Sequence, residues 1–183
     1  MVGATTRTGL LNSPLHSRFT LQIRLDYNTR EDLAYIINRS TKLLGIDIDS
    51  ESAYEIASRS TGTPRIANNL LRFVRDFSQQ KSNGVISKAI TMSALEMLEI
   101  DIDGLDEMDI KILSCTAQNY SGRPVGFWTV AIVVEEEVQT LKEVNEPYLI
   151  KEGYIQCTPQ GRLLTDKGWK KVWLEHAIFQ QNF

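Results

Sequence analysis

The 183-residue sequence predicts a mainly α chain in two parts, four short helices that form a bundle followed by three helices and a β-hairpin. Two observations carry this expectation. From residue 29 to residue 98 apolar residues recur at helical spacing between capping signals, and after Tyr154 the pattern changes to the alternation of a strand, a turn and a returning strand. The composition, 42% hydrophobic and 23% charged, suits a globular chain with enough apolar material for a core.

Thr29, with Asp32 three residues on, is placed to cap a helix over 30–44 that carries Leu33, Ile36, Ile37, Leu43 and Leu44 and stops at Gly45. Ser50 opens a second helix with Ala53, Ile56 and Ala57 inside. Thr63 caps a third, with Pro64 at the first helical position, where its missing N–H costs nothing. Its apolar stripe is Ile66, Leu70, Phe73 and Phe77, while Arg65, Asn69, Arg72 and Asp76 lie on another face. Ser87 begins a fourth helix with Ala89, Ile90, Ala94, Leu95 and Leu98. The acidic stretch "EIDIDGLDEMD" at 99–109 lacks the spacing of a calcium loop and reads as a solvated linker.

Helices are then predicted around 105–118, 127–134 and 137–151, with "SGRPVG" as the turn after the first. Tyr154 to Thr158 and "RLLT" form two strands joined at "PQG". Three helices followed by a hairpin is the order of a winged helix, whose third helix can lie in a DNA groove while the hairpin meets the backbone. The segment "CTPQGRLLTDKGWKK" sets Arg162, Lys167, Lys170 and Lys171 against one acid, Asp166, a patch able to neutralise phosphates without reading sequence. The third helix carries Glu135, Glu136, Glu137, Glu143 and Glu146, which repel DNA, so contact falls to the hairpin. A winged helix used only to bind DNA or protein without catalysis is the alternative reading.

Several classes are disfavoured. The net charge is -3, with residues 1–103 neutral and no basic module in either half. Cys115 and Cys157 lack the spacing of a zinc site, and His16 and His176 are far apart, so no metal is expected. The longest apolar run, "VAIVV", is too short to cross a bilayer. The amino end has no secretory core, although Arg7, Arg18 and Arg24 without an acid in the first 25 residues loosely suit a transit peptide. "MVGATTRTG" reads as the end of a buried strand without a partner, so the chain is expected to be the carboxyl part of something longer.

The segments "GATTRTGLLNSPLHSRF", "GTPRIANNLLRFVRD", "DEMDIKIL" and "EPYLIKEGYIQCTPQGR", in order across roughly residues 2–170, resemble the RuvB family, bacterial AAA+ motors that drive branch migration of Holliday junctions. The resemblance implies three regions: 1–24 as a remnant of the large α/β ATPase domain, 25–101 as the helical AAA+ lid, and 102–183 as the winged-helix DNA-binding domain with a carboxyl tail. It implies that Thr6 is the sensor of the terminal phosphate and that Arg18 is the arginine inserted into a neighbouring subunit's site. Arg65 becomes the second sensor, aimed at the nucleotide of its own subunit, and Asn28 stands where a nucleotide-contacting Tyr is usual. The DNA-facing positions are Arg162, Cys157, Gln160 and Lys167. ATP and Mg²⁺ are the implied cofactors of the complete enzyme. Holliday-junction DNA, a RuvA-like junction-binding protein and a homohexameric ring are the implied partners, in the cytoplasm, in recombination, repair and the SOS response.

The sequence departs from the family pattern in places. His16 replaces a usual Arg and Thr20 a common Gly; Cys157 and Gln160 replace two arginines of the hairpin, which predicts weaker DNA contact. Val134 replaces a Gly and could lengthen its helix. Trp169, Trp173 and Ala177 fall at helical spacing in a tail expected to pack on the winged helix. No Gly is followed by Lys, so the sequence contains no GxxxxGK[ST] phosphate loop, and no apolar strand ends in an Asp-Glu pair. The chain by itself is therefore expected not to hydrolyse ATP.

Overall fold

The computed structural model describes residues 2–5, 9, 11–82, 84–118 and 123–181, with the side chains of His16, Gln118 and residues 174–181 outside the description. Thr6 and the side chain of Ala177 fall outside it. Among the described residues the helices are α1 (Ser13–His16), α2 (Arg30–Leu44), α3 (Ser50–Ser58), α4 (Pro64–Lys81), α5 (Lys88–Met97), α6 (Glu107–Gln118), α7 (Phe127–Val134), α8 (Val138–Glu143), α9 (Glu146–Lys151) and α10 (Asp166–Gln181). The strands are β1 (Ile155–Thr158) and β2 (Gly161–Leu164).

The first core joins Leu33 and Ile37 of α2 to Ile56 of α3, Leu71 and Val74 of α4, and Leu95 of α5, each at most 1% exposed. Burying each Leu or Ile side chain contributes about 1.5–3 kcal/mol, which exceeds what propensity gives helices this short. Helix α2 runs over the predicted residues because both ends are specified locally. Thr29 and Asp32 exchange capping hydrogen bonds, Asp32 N–H to Thr29 Oγ1 at 3.2 Å and Thr29 N–H to Asp32 Oδ2 at 3.3 Å, and Gly45 takes the left-handed conformation at φ 65°.

Other details correct the sequence expectation. Leu43 and Leu44 of α2 are exposed, because Thr41 turns inward instead. The buried stripe of α4 is Ala67, Leu70, Leu71, Val74 and Ser78, with Ile66, Phe73 and Phe77 partly buried at its flank. Asp49, one residue earlier than Ser50, caps α3 by accepting from Ser52 N–H at 2.6 Å. Thr63 precedes α4 but its hydroxyl makes no capping bond; its backbone N–H donates to Ser60 O at 2.9 Å.

The second core gathers Leu113 of α6, Val130 of α7, Leu141 of α8, Leu149 of α9, Ile155 and Leu164 of the hairpin, and Val172 of α10. β1 and β2 pair antiparallel, Ile155 opposite Leu164 and Cys157 opposite Arg162. Val125 adds the edge of a third strand, exchanging two 2.8 Å backbone hydrogen bonds with Arg162. Gly161 is required there, since a Cβ would come within 2.3 Å of Val125 O. The expected helix at 137–151 is two, α8 and α9, interrupted at Val144 and Asn145. Val134 does not lengthen α7, because Glu135 adopts the left-handed conformation at φ 58° and ends it. Trp169 packs on this core while Trp173 is 69% exposed.

The largest correction concerns 99–109, which is no solvated linker. On the lid side Arg59, 5% exposed, donates from Nη1 to Ile100 O at 3.0 Å. On the winged-helix side the Lys171 ammonium contacts Asp101 Oδ2 at 2.5 Å and Asp103 Oδ2 at 2.8 Å, and Tyr148 donates its hydroxyl to Asp103 O at 2.7 Å. Asp101 Oδ1 accepts the N–H groups of Asp103 and Leu105, both at 2.8 Å, and Leu105 is fully buried. Burial works against the charge of Lys171, but the two carboxylates outweigh it and hold the ammonium above its ordinary pKa.

Just beyond, Asp106 and Asp109 cap α6 reciprocally: Asp109 N–H donates to Asp106 Oδ1 at 2.8 Å and Asp106 N–H to Asp109 Oδ2 at 3.3 Å. Asn145 donates to Asp109 Oδ1 at 2.8 Å. Burial, then the charge of Asp106, pushes the Asp109 carboxyl up to about 7.

Replacing Lys171 by Ala should lower the unfolding free energy by about 1–3 kcal/mol, since two partly buried carboxylates lose their partner, and should open the 100–105 segment to limited proteolysis. A cleavage pattern identical to the wild type would contradict the clamp. Asp109, with its folded pKa above its unfolded one, binds more protons folded than unfolded, so it makes stability fall as pH rises from about 4 to about 7. Asp109→Asn should flatten that decline by about 1–4 kcal/mol in denaturant titrations across the window.

Candidate functional site

Arg65 occupies the first turn of α4, and the local sequence makes that turn rigid. Pro64 fixes the backbone at the start, Asn68 donates its side-chain amide to Pro64 O at 2.9 Å, and Ala67 N–H donates to Thr63 O at 3.0 Å. The Arg65 side chain is exposed, and among the described residues it makes no hydrogen bond or ion pair. A surface salt bridge with Asp76 is not formed: Asp76 lies about 16 Å further along the same helix and pairs with Arg75 at 2.6 Å.

Asn28 is brought to the same corner. Its backbone N–H donates to Gly62 O at 2.9 Å, and the adjoining Tyr27 ring covers Gly62 so closely that a Cβ there would sit 2.9 Å from Tyr27 Cβ. Gly62 has φ 75°, so only glycine meets both demands without strain. Lys151 of α9 places its ammonium 4.3 Å from the centre of the Tyr27 ring. The corner thus presents a half-buried Asn28 and a free guanidinium, an arrangement suited to an anionic ligand such as a phosphate.

Arg18 lies apart, just after α1, with its N–H bonded to Leu15 O at 3.2 Å and its side chain exposed. No hydrogen bond or ion pair among the described residues joins it to Arg65. Residues 2–5 are exposed and form no strand. Cys115, buried, and Cys157, exposed, form no disulfide, and no group of His, Cys, Asp and Glu that could hold a metal ion occurs among the described residues.

The hairpin positions are placed unevenly. Gln160 is exposed at the turn. Arg162 and Cys157 face each other across the strands and converge on Glu146: Arg162 Nε donates to Glu146 Oε1 at 2.5 Å and the Cys157 thiol to the same oxygen at 3.5 Å. The guanidinium lies 4.4 Å from the centre of the Phe127 ring. Hydrogen bonding to Glu146 raises the Arg162 pKa, while partial desolvation and then the Glu146 charge push the Cys157 thiol up. Lys167 donates to Glu152 O at 2.8 Å and sits 4.1 Å from the centre of the Tyr154 ring. With Lys171 on Asp101 and Asp103, three of the four cations of the basic segment are already engaged within the chain.

Sequence reasoning missed Glu146 and Phe127. Glu146 reads as one more acid on a DNA-repelling helix face, yet it is 7% exposed and paired. The signal lies in the pairing of residues 16 apart, which no local pattern displays.

A four-helix lid with an arginine, unpaired among the described residues, on the first turn of a proline-started helix, joined to a winged helix, defines the carboxyl-terminal architecture of an AAA+ protein. Residues 27–101 match the family described as the RuvB AAA lid domain, and residues 103–172 the RuvB C-terminal winged helix domain. The chain belongs to the RuvB family. It is 49% identical over all 183 residues to the Holliday junction branch migration complex subunit RuvB of Chlorobium chlorochromatii, covering 52% of that protein. To the same subunit of Flavobacterium johnsoniae it is 51% identical over 172 residues, 94% of this chain and 51% of that one. The solved Thermotoga maritima RuvB Holliday junction branch migration motor superimposes with a TM-score of 0.85 at 44% identity, over 93% of this chain and 57% of that one. The chain spans about half the length of the curated relatives it matches.

Because Arg65 has no partner among the described residues, Arg65→Ala should shift stability by no more than about 0.5 kcal/mol. A thermal melt showing a larger loss would reveal a structural role.

Proposed function

We propose that this chain is the lid and DNA-contacting portion of a RuvB-type motor that uses ATP to move Holliday junctions in recombination and repair. The observation that carries the reading is the free guanidinium of Arg65 on a rigid first turn, beside Asn28, in a chain that follows RuvB relatives at about half identity from end to end.

In this reading Arg65 reaches the phosphates of its own subunit's ATP, and the Asn28 segment borders the nucleotide. Lid rotation then carries the winged helix, because the 100–105 segment is gripped from both sides. Arg18 enters the neighbouring subunit's site in a homohexameric ring and offsets charge developing on the transferred phosphoryl, an effect worth on the order of 10³ to 10⁵ in rate. Thr6 senses the terminal phosphate. Mg²⁺ and the phosphate cradle belong to a GxxxxGK[ST] loop, which this sequence does not contain, so the chain alone turns over no ATP. Arg162 and Lys167, with Cys157 and Gln160 beside them, face the DNA backbone, and a RuvA-like protein holds the junction. The setting is the bacterial cytoplasm.

Purified chain with MgATP should release phosphate at the buffer rate. Joined in frame behind a RuvB amino-terminal segment that carries the phosphate loop, the chain should give turnover, reduced at least about 100-fold by Arg18→Ala or Arg65→Ala. Hydrolysis by the chain alone, lost in Arg65→Ala, would overturn the reading that these residues form no phosphate cradle of their own.

A further inference from the structure

The hairpin arginine is turned toward α9 and neutralised there. Glu146 is nearly inaccessible, its side chain 8% exposed against 23% for Arg162. Salt therefore screens this pair less than a surface pair, and Phe127 closes one face of the guanidinium. The pair is also incomplete. Only Nε of Arg162 makes a hydrogen bond among the described residues, and the side chain is 23% exposed, which leaves Nη1 and Nη2 as the atoms an incoming anion would meet. A phosphodiester arriving at those two nitrogens meets a cation whose charge is opposed 2.5 Å away by a fixed carboxylate.

Resting on the reading of the hairpin as a DNA contact, we infer that Glu146 is a positioning residue that restrains Arg162 and limits the hairpin's affinity for a phosphodiester backbone. It acts through Arg162 and touches no DNA itself. The neighbouring cations add little free charge, since Lys167 is held at Glu152 and Lys171 at Asp101 and Asp103. Release of one guanidinium is thus a large relative change in what the hairpin offers.

The test is binding of the full chain to a labelled DNA duplex across a salt series. Glu146→Gln keeps an oxygen acceptor for Arg162 Nε at nearly the same volume and removes the charge. It should tighten binding roughly three- to tenfold at low salt and steepen the slope of log K against log salt by about 0.9, the increment for one further phosphate. In an Arg162→Ala background the gain should vanish. Should Glu146→Gln fail to fold, Glu146→Asp carries the test, because withdrawing the carboxylate by one methylene should also tighten binding. Equal or weaker binding by the variant that folds, or a gain that persists with Arg162→Ala, overturns the inference. Wild-type binding without a gain in the variant defeats only the role of Glu146. Binding by none of these proteins defeats the DNA-contact reading as well.

Discussion

The interaction on which the rest of the structure depends is the double grip on the six residues between the two cores. Arg59 holds the Ile100 carbonyl from the lid, and Lys171 with Tyr148 holds Asp101 and Asp103 from the winged helix. An acidic, glycine-containing stretch would otherwise let two small cores move independently. Because Asp101 also satisfies the N–H groups of Asp103 and Leu105, the turn is specified from within as well as from outside. Lid and winged helix are coupled by charge and backbone hydrogen bonds more than by a shared apolar interface.

Charge is handled differently at the two candidate sites. At the start of α4 the guanidinium of Arg65 has no partner among the described residues and sits on a turn that Pro64 and Asn68 make stiff, so it is presented outward at little conformational cost. In the winged helix the cations are spent internally: Arg162 on Glu146, Lys167 on Glu152, Lys171 on two aspartates. A count of basic residues along "CTPQGRLLTDKGWKK" therefore overstates the positive charge available to a polyanion.

What the sequence makes legible follows the range of each interaction. The ends of α2 are visible because each is set locally, Thr29 with Asp32 three residues on at the start and Gly45 against Thr41 and Lys42 at the end, and the hairpin is visible because alternation and its turn are contiguous. The ordering of 100–105 is invisible because Lys171 is 68 residues from Asp103 and Arg59 is 41 from Ile100. The break between α8 and α9 falls just before Pro147, which has no N–H to donate and crowds the carbonyl of the preceding turn, a local signal that the apolar periodicity alone does not display. Arg65 was findable only through the family resemblance; local pattern alone favours a surface ion pair. Glu146 has no local signature at all.

The two backbone hydrogen bonds between Val125 and Arg162 leave the hairpin almost no slack at its root. With Gly161 packed directly on the Val125 carbonyl, bending the strands away from the body would break both bonds at once. A load applied at Pro159 and Gln160 is therefore passed straight to the base of α7 instead of being absorbed as a flapping of the tip. Such an appendage behaves as a stiff peg, and a force at its tip is met by movement of the whole domain.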